Sequence, residues 1–179
     1  MSKLVEQVIA DYIKSKTIKT KKEGLEAVRQ DGDALRYVNN QTDEICLEAV
    51  KQYGYALQYI NNQTEKICLK AVKQNGYALR YVNNQTEKIC LEAVKKDGYA
   101  LRYVDNQTEK ICLEAVKHSG HALQYVNDQT EKICLEAVKQ NQNAIQYVSK
   151  SIIDKLILRL SEAEITTSEH KEIRELADV

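Results

Sequence analysis

Residues 62–82 read NQTEKICLKAVKQNGYALRYV. The stretch before it, 40–60, reads NQTDEICLEAVKQYGYALQYI, and the one after it, 84–104, reads NQTEKICLEAVKKDGYALRYV. Cys46, Cys68, Cys90, Cys112 and Cys134 are each 22 residues apart, and Gly32, Gly54, Gly76, Gly98 and Gly120 keep the same step. So do Tyr37, Tyr59, Tyr81, Tyr103, Tyr125 and Tyr147. The chain is therefore an array of 22-residue units, six of them recognisable between about Glu23 and Val148. Gly24 stands where later copies have Cys, and Gln142 where earlier copies have Gly. Imperfect end copies suit a stacked array, whose terminal units meet solvent on one side.

Each unit carries two helical patterns. In the first, Ile67, Cys68, Leu69, Ala71 and Val72 cover an arc of roughly 200°, with Lys70, Lys73 and Gln74 opposite. So wide an arc predicts burial against both a partner helix and a neighbouring repeat. Asn62, paired with Glu65 as a capping box, or Thr64 alone can cap this helix. Lys73 suits the last turn, and Gly76 suits a left-handed position just beyond it. The second pattern is YALRYV, where Ala78, Leu79, Tyr81 and Val82 share one face of a short helix, α or 3₁₀. Such a helix is too short to stand alone, so it must be held by its neighbours. The predicted fold is all-α: an α-solenoid of tandem helix–short-helix repeats, a rod or shallow superhelix on the order of 50–60 Å long. Residues 1–22 read as an N-terminal capping helix and basic linker, 23–148 as the repeats, and 149–179 as C-terminal capping helices. The caps are LVEQVIADYI, the segment from Ile152, and a last helix after Thr166.

Composition narrows the function. Pro is absent from all 179 residues, which fits a chain helical almost throughout, since Pro breaks helix interiors. There are 26 basic and 26 acidic residues, so the net charge is zero and a dedicated nucleic-acid binder is disfavoured. No apolar run reaches membrane-span length, and the N-terminus lacks the apolar centre of a secretory signal. Free cysteines without such a signal predict a reducing, cytoplasmic location.

At AVKQNGYALRYV (71–82) and NQTEKICLEAV (84–94) the sequence resembles a short helical repeat family of unknown function, frequent in giant viruses of the mimivirus type and present in some bacteria and protists. The resemblance covers residues 23–148. It implies a repeat scaffold with a binding role, and it brings no catalytic residue. The alternation of long and very short helices is also similar to leucine-rich-variant repeats, in architecture only, since the Pro of those repeats is missing here.

The candidate sites divide by type. The cysteines sit in the apolar arc, one per repeat, without a CxxC pair, and read as small buried hydrophobes. Asn40, Asn62, Asn84 and Asn106 each begin an N-x-T tripeptide, a glycosylation acceptor in a secreted protein. The next copy has Asp128, which still caps a helix, so capping is the preferred reading. His118 and His121 have no third ligand, and neither a metal nor a cofactor is expected. The basic run KSKTIKTKK (14–22) reads as a solvated linker. No nucleophile–base set, paired-carboxylate motif or phosphate loop appears, so the chain is read as not an enzyme.

Positions that vary between copies are free to serve a partner. After the glycine they run Asp33, Tyr55, Tyr77, Tyr99, His121 and Asn143; three residues on, Arg36, Gln58, Arg80, Arg102, Gln124 and Gln146. With Tyr53, these predict a surface column of Tyr beside Arg and Gln, the side chains favoured at binding hot spots. The same tyrosines could instead stack on one another or on the next repeat. The protein-binding candidates are Tyr53, Tyr55, Tyr77, Tyr99, His121, Arg80 and Arg102. The expected molecule is a monomeric scaffold for another protein, with single-stranded nucleic-acid binding or self-assembly as the alternatives.

Overall fold

Thr64 sets where the long helix begins: its hydroxyl oxygen accepts from the Ile67 N–H at 3.4 Å. Thr42, Thr86, Thr108 and Thr130 do the same one repeat apart. The cap is thus Thr64, and the Asn62–Glu65 box does not form. The capping box among the described residues is at Thr20 and Glu23, where each side chain holds the other's backbone N–H. An acidic first turn and a basic last turn then favour each helix through its dipole.

The computed structural model describes residues 18–158. It contains ten-residue helices α1 (Lys21–Gln30), α2 (Asp43–Gln52), α3 (Glu65–Gln74), α4 (Glu87–Lys96), α5 (Glu109–His118) and α6 (Glu131–Gln140). Each is followed by a six-residue 3₁₀ turn: η1 (Gly32–Tyr37), η2 (Gly54–Tyr59), η3 (Gly76–Tyr81), η4 (Gly98–Tyr103), η5 (Gly120–Tyr125) and η6 (Gln142–Tyr147). A further helix, α7, occupies 150–158. Helices pack on the next helices and 3₁₀ turns on the next turns, giving two layers. The fold is a helical solenoid. Lys21 already lies in α1 and pairs with Glu44 of α2 at 2.6 Å, so the end of the basic run belongs to the first repeat. The N-terminal cap at 1–17 and the helix after Thr166 lie outside the described residues.

One continuous core fills the space between the layers. Ile67, Cys68, Ala71 and Val72 come from α3, Ala78 and Leu79 from η3, and Val82 from the position just after it, all buried. Tyr81 departs from the predicted inward face and is only half-buried.

The glycines differ from expectation. None has a positive φ, so none is a left-handed helix stop. Asn75 ends α3 in an extended conformation, its N–H bonded to the Ala71 carbonyl at 2.9 Å. Its side chain then caps η3 through the Tyr77 N–H at 3.0 Å. Gly76 is required by the next repeat: a Cβ there would lie 2.7 Å from the Ala93 carbonyl oxygen of α4. Real Cβ atoms do not approach backbone so closely, so the absent side chain is what lets one unit close on the next.

A glutamine clamp fastens the units. Gln63, in the link between η2 and α3, donates to the Tyr81 carbonyl at 2.8 Å and accepts from the Asn83 N–H at 3.0 Å, tying that link to the end of η3. Gln41, Gln85, Gln107 and Gln129 repeat the pair of bonds. In the first unit Lys19 occupies this place. There the backbone of Ile18 replaces the side-chain amide, donating to the Tyr37 carbonyl at 2.8 Å and accepting from the Asn39 N–H at 3.2 Å. The backbone N–H and C=O of one residue supply the donor and the acceptor that a glutamine amide supplies, so one substitutes for the other.

Candidate functional site

The outer edges of the 3₁₀ turns carry a ribbon of tyrosine and arginine. Tyr55, Tyr77, Tyr99 and His121 each meet the constant tyrosine of the following repeat edge-to-face: Tyr55–Tyr81, Tyr77–Tyr103, Tyr99–Tyr125 and His121–Tyr147, with centroids 5.8–6.0 Å apart. Tyr53, 38% exposed, leans on Tyr55 at 5.5 Å. The varying tyrosines therefore pack between repeats while showing an edge to solvent. Such pairs add roughly 0.5–1.5 kcal/mol each beyond burial. Burial raises the Tyr77 hydroxyl pKa, with Asp97 adding to it.

The arginines lie over the constant tyrosines, which their constancy alone would assign to packing. The Arg80 guanidinium sits 4.9 Å from the Tyr81 centroid and 5.7 Å from that of Tyr103. Arg102 sits 5.1 Å from Tyr103 and 5.5 Å from Tyr125. Arg36 does likewise over Tyr37 and Tyr59, but it is also paired with Asp33. Burial, and then a hydrogen bond to Asp33, raise the Tyr59 pKa. The ribbon thus adds Tyr81, Tyr103, Tyr125 and Arg36 to the predicted residues. Their signal in the sequence was a Tyr one position after every Arg or Gln of the variable column.

The links between each 3₁₀ turn and the next helix carry the Asn-Gln-Thr turns. Asn62, Asn84 and Asn106 are exposed, while the Thr of each tripeptide is the helix cap described above. Behind them lie the thiols. Cys68, Cys90, Cys112 and Cys134 point their sulfurs at the clamp glutamine's Oε1, 3.5–3.7 Å away. All five cysteines are buried and free. Burial, with Asp43 and Asp105 adding to it, pushes Cys46 and Cys90 up to about 11. A thiol held that high is almost entirely protonated at neutral pH and a poor nucleophile. His118 is exposed at the end of α5, while His121 packs on Tyr147. Among the described residues no group of three or more His, Cys, Asp or Glu could hold a metal ion. None of their helices is long and apolar enough to cross a membrane.

Five stretches match the family model described as a domain of unknown function (DUF4116): 25–65, 42–86, 64–108, 86–129 and 108–153. The chain belongs to this family. Each DUF4116 match spans two structural repeats, and successive matches advance by one, so the family unit is a pair of neighbours sharing a clamp and a glycine contact. No curated protein and no solved structure matches the chain.

Proposed function

We propose that this DUF4116 chain is a noncatalytic scaffold that binds another protein through the Tyr/Arg/Gln ribbon on its 3₁₀ edge. The observation carrying this reading is the ribbon itself: aromatic rings already ordered by edge contacts, with exposed guanidinium groups laid over them. Rigid aromatic and arginine side chains bind at low entropic cost, and such residues dominate binding energy at protein interfaces. The variable Tyr and Arg/Gln columns fall on this edge beside the constant tyrosines, while the other constant positions serve core, clamp and caps.

The test is affinity capture of the tagged protein from native lysate, with and without nuclease, beside a Tyr77→Ala/Tyr99→Ala variant. A thermal melt verifies that the variant keeps a cooperative fold. The expected result is a protein partner that survives nuclease and is lost from the folded variant. Partners that all persist on the variant, or that all vanish with nuclease, would overturn the reading.

A further inference from the structure

The six positions of the Arg/Gln column are not equivalent. Gln58, Gln124 and Gln146 turn back and donate to carbonyls of their own turns, those of Tyr55, His121 and Asn143, at 3.0–3.1 Å. Arg36 is neutralised by Asp33, three residues earlier in the same turn. At Arg80 and Arg102 the residue three earlier is Tyr77 or Tyr99, which carries no charge. The ion pairs of the described residues leave both arginines without a carboxylate partner. The nearby acid, Asp97, is turned inward to cap η4 through the Tyr99 N–H at 2.9 Å. Two adjacent repeats thus present uncompensated guanidinium groups, flanked on each side by a self-satisfied glutamine.

A shared ring sets an upper bound on their spacing. Arg80 and Arg102 lie 5.7 and 5.1 Å from the one Tyr103 centroid, which limits the separation of the two guanidinium carbons to 10.8 Å. In an extended chain, residues two apart are separated by about 6.8 Å and residues three apart by about 10 Å. A guanidinium held against a ring keeps its N–H fork free for a carboxylate, with which it forms paired charge-assisted hydrogen bonds.

We infer that Arg80 and Arg102, over Tyr81, Tyr103 and Tyr125, form a two-pronged clamp for an extended acidic segment of a protein partner. One carboxylate meets each guanidinium, two or three residues apart. The inference rests on the scaffold reading and names the chemistry of its partner. The clamp belongs to the third and fourth repeats alone.

The test uses the full chain and fluorescein-labelled peptides of alternating Glu and Gly, with the Gln-for-Glu peptide and a thymidine oligonucleotide as comparisons. Binding is read by fluorescence anisotropy at low ionic strength. Arg80→Gln/Arg102→Gln is the informative variant, because glutamine already occupies this column in folded repeats. The expected result is that the acidic peptide binds and the neutral one does not. The double variant should weaken binding about tenfold or more, while Arg36→Gln changes it less than about twofold. Equal binding to wild type and double variant, or equal binding of the neutral peptide, would overturn the inference. So would oligonucleotide binding that exceeds peptide binding and is lost in the double variant. A captured protein that needs Tyr77 and Tyr99 but tolerates Arg80→Gln/Arg102→Gln would overturn the acidic clamp and leave the scaffold reading standing. If peptide binding follows the arginines while no captured protein depends on the ribbon, the scaffold reading fails and the clamp stands as measured.

Discussion

Leu79 and Ile145 hold the same place in the third and sixth repeats, yet Leu79 is fully buried and Ile145 is 53% exposed. Gly76 and Gln142 form a second such pair. Gly76 faces the Ala93 carbonyl of the next helix, whereas Gln142 is exposed. Leu135 completes the pattern at 56% exposed, where Leu69 is half-buried. At these three positions burial is therefore set by the C-terminal neighbour, while Ile133, Cys134, Ala137 and Ala144 of the last repeat stay buried without one. The same position of the 22-residue pattern is thus covered when another unit follows and open when none does.

The sharpest test of that difference is a matched pair of truncations. Leu79→Ala removes a fully buried side chain and should cost about 2–5 kcal/mol, because a cavity is left between packed layers. Ile145→Ala should cost less than about 1 kcal/mol, since half of its surface already meets water. Urea melts of the two variants decide it. Similar losses would mean that Ile145 is covered in solution by something beyond the described residues, and the end of the array would need a new description.

The clamp offers a second pair. Gln85→Ala releases the Tyr103 carbonyl and the Asp105 N–H together and should cost about 1–3 kcal/mol. Lys19→Ala occupies the equivalent place but should change stability by less than about 0.5 kcal/mol, because the Ile18 backbone makes both bonds there. Amide exchange localises the effect: Asp105 should exchange faster in the first variant, and Asn39 should be unchanged in the second. Loss of protection at Asn39 in Lys19→Ala would break the equivalence of peptide and glutamine amide.

These pairs also show what the sequence made legible. The period, the two helical patterns and the core residues come from repetition and from apolar arcs, both of which are written in side-chain identity. The clamp was hidden because Gln63 bonds backbone atoms of Tyr81 and Asn83, and backbone carries no sequence signature. The constant Gln between Asn and Thr was visible at every step but had no partner to name. The glycines alone do not separate a left-handed turn from a close approach, because both exclude a side chain. Gln142, which replaces glycine where no further repeat stacks, was the clue that favoured the second reason. The ribbon was half legible: the variable Tyr and Arg columns were visible, but the constant tyrosines beneath the arginines read as core.

A third comparison weighs two opposing effects at one residue. Because Gly76 has an ordinary φ, Gly76→Ala gains about 0.4–1 kcal/mol by restricting the unfolded chain. Pushing the Cβ against the Ala93 carbonyl costs about 1–3 kcal/mol, since the obstacle is backbone and must move. The net expectation is a loss on the order of 1 kcal/mol. Gly24→Ala meets the end of the flexible Ile45 side chain at 3.0 Å instead, so its balance should lie nearer zero. A stabilised Gly76→Ala protein would show that neighbouring repeats slide apart easily, and the close-approach account would fail.

The smallest effect belongs to the charges that repeat along the array. Lys88–Glu65 and Lys110–Glu87, each 3.2 Å apart, join the first turns of successive helices. Their side chains are more than half exposed, so water and salt screen the attraction while long side chains lose freedom to make it. Lys88→Ala should therefore change stability by no more than about 0.5 kcal/mol, and about 1 M salt should remove even that. Stability curves with and without salt provide the measurement. A loss comparable to that of Gln85→Ala would mean that surface charge, rather than the clamp and the glycine contact, holds one repeat to the next. The distinction between covered and uncovered repeats would then rest on electrostatics that both share.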